Sequence, residues 1–228
     1  MRPTLSVLSF LTFFLSIYSA QAQLFNLGLK AGLGVSSFIG KVDQSEVPWV
    51  ESHNIASGYY AFGPYLEIKP SKKIGICGEL LFAHSGGGRR YTLTTGEVIE
   101  NENFNSLQIP AYLKIKTSNV MFIGLGAQFN YLLSSRYLYR ENGSILVGYE
   151  NVKKERNANF TYGPALTVGA EHEKWTFSGL FYLGISPVVQ KDQTEYVNLR
   201  NYSLSFCVSY RLFSSNNETI QFYNHQNF

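Results

Sequence analysis

Between residues 25 and 36 apolar side chains fall on every second position. Phe25, Leu27, Leu29, Ala31, Leu33 and Val35 share one parity, and Asn26, Gly28, Lys30, Gly32, Gly34 and Ser36 share the other. Successive side chains of a β-strand point to opposite faces, so this pattern dictates a long strand with one greasy face and one small or polar face. The design recurs at about 56–69, 73–86, 105–116, 120–134, 158–171, 175–187 and 196–213. In none of these segments does a Lys, Arg, Asp or Glu stand mid-strand on the greasy parity. Eight such strands, with no long apolar helix after residue 22, are expected to form a single all-β domain.

The connections alternate in length. Short polar turns are predicted at Pro70-Ser71-Lys72-Lys73, Thr117-Ser118-Asn119 and His172-Glu173-Lys174. Longer connections lie near 85–104, 134–157 and 190–195. Within the first, 91–99 reads as a protruding hairpin about Thr95-Gly96. Within the second, two strand-like arms flank Asn142-Gly143, a strong hairpin signal. Short turns at one end and long loops at the other, on an even number of strands, describe an up-and-down outer-membrane barrel.

Alternation alone leaves open which face is inside; volume decides it. An eight-stranded barrel has a bore just wide enough for a filling of side chains. It cannot hold the Leu, Ile, Phe, Tyr and Trp of the greasy parity, whereas the Gly-, Ser- and Thr-rich parity fits. The expected fold is therefore an eight-stranded antiparallel up-and-down transmembrane β-barrel with lipid outside. Closure pairs every backbone N–H and C=O, as hydrocarbon demands. Tyr60, Phe82, Tyr131, Phe160, Tyr162 and Tyr202 mark one interfacial belt, and Phe25, Trp175, Phe177 and Tyr210 the other.

Charges on the small parity must then share a narrow bore and pair there. A structural network of Lys30, Glu67, Glu79, Lys114 and Arg211 is expected, with Glu79 as its hub. Cys77 and Cys207 also fall on this parity, far apart in strand order, and are expected to be unpaired.

Residues 1–22 have the form of a cleaved export signal: Arg2, an apolar core over 5–18, and Ala20-Gln21-Ala22 as the cleavage site. The expected division is a signal peptide over 1–22, a barrel over 23–213 and a polar tail over 214–228. Both termini are then expected in the periplasm of a Gram-negative cell. A net charge of +3 without a basic run points away from nucleic acid.

The opening FNLGLKAGLGVS, the stretch GPYLEIKPSKKIGICGELLF, the strand LQIPAYLKIK and the closing SLSFCVSYRLF resemble the PorT-like outer-membrane β-barrel proteins of Bacteroidetes. The resemblance spans nearly all of the mature chain and implies an outer-membrane barrel of about eight strands. It also implies partners in membrane lipid, the barrel-assembly machinery and, for some relatives, a secretion system. This chain runs on past Phe213, where barrels of the type commonly stop.

Chemistry is sparse. His84 and Ser85 suit a lipid hydrolase by position, but sequence neighbours on a strand face opposite ways, so they are not expected to meet. Gly86-Gly87-Gly88 lacks the lysine and following helix of a phosphate cradle. No His and Cys spacing suits a metal. No enzyme and no cofactor is expected. The alternative function is a binding or adhesion module, because the long loops carry Arg89, Tyr91, Tyr137, Tyr139 and Arg140, a mixture common at contacts.

Overall fold

The computed structural model describes residues 24–40, 49–93, 96–151, 158–188 and 199–215. The expected signal peptide, and the tail from residue 216, lie outside the described residues. The strands are β1 (Leu24–Ile39), β2 (Trp49–Lys69), β3 (Ile74–Glu79), β4 (Leu81–Leu93), β5 (Gly96–Lys116), β6 (Met121–Glu141), β7 (Ser144–Asn151), β8 (Phe160–His172), β9 (Trp175–Leu183) and β10 (Arg200–Ser214).

Every pairing is antiparallel. β3 and β4 form one barrel strand interrupted at Leu80, whose N–H still donates to the Pro64 carbonyl of β2 at 3.0 Å. Counted so, eight strands close a ring: β1, β2, β3/β4, β5, β6, β8, β9 and β10, with β10 returning to β1 from Asn26↔Ser214 to Ile39↔Arg200. The ring is the one the sequence predicts. Its short turns form as composition demands. Ser71 Oγ accepts from the Ile74 amide at 3.1 Å, and Ser118 Oγ from the Met121 amide at 2.9 Å. Both described chain ends lie at this turn end, Leu24 beside Lys69 and Ser214 beside Asn26.

The greasy parity faces outward. Leu33, for example, is 72% exposed, and an unbroken girdle of exposed Leu, Ile, Val and aromatic residues surrounds the ring. Trp175 and Tyr210 meet at 4.7 Å between ring centres near the turn end, and Phe25 meets Phe213 at 5.5 Å.

Beyond the girdle one side of the wall rises further than the sequence pattern indicates. β2, β4, β5 and β6 continue past the rim, and β7 pairs with the extension of β6. β1, β8, β9 and β10 stop at the rim. The connection over 85–104, predicted to protrude as a hairpin over 91–99, is strand throughout its described residues, and β5 carries about ten residues above the girdle, roughly 30 Å of strand. Among the described side chains of 86–105 and 134–144 no large hydrophobic residue is exposed, as expected of a segment that leaves lipid for water. The β6–β7 hairpin turns through Asn142 (φ 46°) and Gly143 (φ 81°), the paired left-handed residues a two-residue hairpin requires.

Gly86-Gly87-Gly88 lies in β4 and serves packing. The ring of Phe38 covers Gly87 from within, where an added Cβ would sit 2.8 Å from Cδ2.

Candidate functional site

The bore is the most elaborately built part of the molecule. Its side chains come from the small parity of all eight barrel strands and form three layers.

Nearest the turn end lies a charged layer. Lys114 Nζ is 2.9 Å from Glu67 Oε1 and also contacts Glu171 Oε1, while Lys116 Nζ stands 2.6 Å from Glu171 Oε2. Asn26 Nδ2 donates to Glu67 Oε2 at 2.8 Å, and Lys69 Nζ approaches the same oxygen at 3.3 Å. The Lys114 ammonium also stands 4.3 Å from the centre of the Phe122 ring, a favourable cation–π position. One step deeper, Lys30 Nζ meets Glu79 Oε1 at 2.7 Å, and Tyr112 OH donates to the same oxygen at 2.6 Å. Both partners of this pair are almost wholly buried.

The middle layer is neutral. Tyr59 OH donates to Gln108 Oε1 at 2.8 Å, and Gln128, Asn130 and Thr161 form a hydrogen-bonded chain. Two free thiols are buried in the bore, Cys77 down in the charged layer opposite Glu67 and Tyr112, and Cys207 on β10. The third layer, at the extension end, is an apolar cap of Phe38, Phe104, Leu132, Val188 and Leu199. Among the described residues the bore retains a cavity of about 20 Å³ beside Glu79 and Lys114 and another of about 20 Å³ under the cap, each about the room of a single water.

Four of the five residues predicted for the network are brought together: Lys30, Glu67, Glu79 and Lys114. They form two linked clusters around Glu79 and Glu67 instead of one hub. Arg211 is a correction. It sits at the turn end, where its guanidinium donates to the Glu173 carbonyl; strand β10 carries it below the charged layer. Tyr112 and Asn26 were missed, although parity places both inward beside Lys114 and Lys30. The cap had no sequence signal, because Val188 and Leu199 come from the ends of a connection and meet Phe38 only through closure.

The predicted surface-contact set is also partly corrected. Arg89 (7% exposed) and Tyr91 (4%) point to the inner face of the extension and are buried. Arg89 Nη2 donates to the Gly40 carbonyl at 2.7 Å, and Tyr91 OH to Glu100 Oε2 at 3.3 Å. Burial first, and then the neighbouring Glu100 carboxylate, push the Tyr91 phenol above its usual range. Alternation carries these two inward, so they brace the extension. Tyr137, Tyr139 and Arg140 remain partly exposed on β6. His84 faces outward and Ser85 inward with 3% exposure, so the two do not meet. Among the described residues no group of His, Cys, Asp and Glu suits a metal.

A family model described as "Outer membrane protein beta-barrel domain" matches residues 20–190. No curated protein matches. Solved structures similar to this one include Ail, the attachment invasion locus protein of Yersinia pestis, at 11% identity, TM-score 0.39, and coverage of 84% of this chain and 99% of that one. Neisserial surface protein A is similar at 10% identity and TM-score 0.39, covering 81% and 96%. OprG from Pseudomonas aeruginosa is similar at 9% identity and TM-score 0.34, covering 83% and 94%.

Proposed function

Because the chain belongs to the outer membrane protein beta-barrel domain family, we propose that it is a sealed integral barrel of the outer membrane that holds a β-sheet extension outside the cell. The observation that carries this reading is the bore. Ion pairs, amides and an apolar cap fill it in sequence among the described residues, and the spaces beside Glu79 and under the cap hold about one water each. A bore so filled offers no continuous aqueous path. The short turns and both chain ends then face the periplasm, as the usual arrangement of such barrels supports.

On this reading the function is structural or surface-associated, without a catalytic step. The opposed faces of His84 and Ser85 support that. The resemblance to PorT-like barrels supports a place beside a secretion apparatus, with lipid and the barrel-assembly machinery as partners. A second reading is a surface contact made by the extension, favoured by the partly exposed Tyr137, Tyr139 and Arg140 next to the β6–β7 turn.

Single-channel recording in planar bilayers tests the sealed barrel. The mature protein is expected to give no steady conductance; a stable ohmic channel would overturn the reading.

A further inference from the structure

Where the extension leaves the girdle, the outward wall carries a cleft of about 380 Å³, bounded by Gly58, Tyr60, His84, Asn101 and Asn103. That volume lies within the roughly 300–1,000 Å³ of small-ligand clefts. Its origin is a bulge. Between the pairs Ala56↔Gly87 and Tyr60↔His84, β2 spends three residues against two on β4, which bends the strand and re-aims its side chains. Gly58 faces open space, with no atom within 4 Å of where a Cβ would stand. Gly86 and Gly88 form a flat floor over which Asn103 and Asn101 lie; a Cβ on either would meet the amide oxygen at 2.5 or 1.9 Å.

The polar groups that line it include the Asn101 and Asn103 amides, the Tyr60 phenol and the His84 imidazole. Asn105 Nδ2 donates to Ser134 Oγ at 3.0 Å and its Oδ1 stands 2.8 Å from His84 Nδ1, which holds the imidazole at the cleft wall. Neither Lys nor Arg is among the residues that line the cleft. A hydroxyl-rich neutral group, which both donates and accepts, matches such a lining of amides, phenol and imidazole. The Tyr60 ring, stacked on His84 at 5.1 Å and 13°, provides a flat face for a sugar's C–H groups. Directly alongside are girdle residues: Leu33 pairs with Tyr60, Val35 with Gly58, and Phe62 packs on Phe82. An occupant with a sugar head and acyl tails meets both surfaces at once.

We propose that this cleft seats the sugar headgroup of a neutral glycolipid of the surrounding leaflet, its chains lying along Leu33 and Phe62. The inference rests on the membrane placement proposed above, but not on whether the bore conducts.

The test uses native mass spectrometry on the mature chain released from nanodiscs. These contain glucosyl-diacylglycerol and phosphatidylglycerol in equal amounts with matched acyl chains. The parent is expected to retain the glucosyl lipid about tenfold over phosphatidylglycerol, the effect of one or two net hydrogen bonds. Gly58→Phe places a ring in the open space and is expected to abolish the preference. Asn103→Leu, which removes a polar wall without filling the cleft, should reduce it. The faster migration of unboiled protein on a denaturing gel reports folding of each variant. Equal retention of the two lipids by the parent overturns the proposal, as does a preference that survives both variants. Binding of soluble methyl glucoside as tightly as the glycolipid overturns the membrane source. Failure to enter nanodiscs would instead strike the membrane placement itself.

Discussion

Glu79→Leu probes the bore most directly. The Glu79 carboxylate is the 2.7 Å partner of the Lys30 ammonium and the 2.6 Å acceptor of Tyr112 OH, and both charged side chains are nearly inaccessible. Removing it leaves an ammonium with no countercharge in a bore whose nearest free space is about 20 Å³. Breaking a buried pair from one side costs about 3–5 kcal/mol, because the surviving charge stays desolvated. The orphaned Tyr112 hydroxyl adds about 1 kcal/mol. The double variant Lys30→Met/Glu79→Leu removes both charges at similar volume, and such replacements are often neutral or stabilising by about 1–4 kcal/mol. The assay is reversible urea unfolding of barrels in lipid vesicles, followed by tryptophan fluorescence. The expected pattern is a large loss for the single variant and recovery of most of it in the double. A single-variant loss under about 1 kcal/mol would mean that water reaches Lys30, and the dry bore would be refuted.

Three further outcomes follow from particular contacts. Gly87→Val drives a side chain into the Phe38 ring, and overpacking of this kind is expected to cost about 1–3 kcal/mol, read in the same urea titration. Gly126→Val would put a Cβ 2.0 Å from the Ala111 carbonyl oxygen; backbone cannot yield as a flexible side chain does, so the heat-modifiable form should be lost on gels. The Tyr91 phenol, raised by burial and by Glu100, stabilises the extension fully below the unfolded tyrosine value near 10 and loses that contribution as pH rises through the folded value. Alkaline titration of tyrosinate absorbance should therefore show the same number of groups ionising in the ordinary range for the parent and for Tyr91→Phe; one group fewer in the variant would contradict the burial.

The alternation from Phe25 to Val35 and its seven repeats are enough to specify strands, and the volume of their greasy parity specifies which way they face. The backbone alternates whatever its partners, and a bore for eight strands has one size. The inward direction of Lys30, Glu67, Glu79 and Lys114 was legible on the same grounds. Their partners were not: parity gives a face but no height along the axis, and height is set by register. Register placed Glu79 against Lys30 and Glu67 against Lys114, and carried Arg211 below both. Parity also holds beyond the membrane, which is why Arg89 and Tyr91 are buried although their segment reads as a polar loop. The cap of Phe38, Val188 and Leu199, and the cleft at Gly58, depend on chain segments distant in sequence. Ring closure brings the first together and a one-residue mismatch between β2 and β4 opens the second; both are properties of strand pairing, which a single chain's periodicity does not encode.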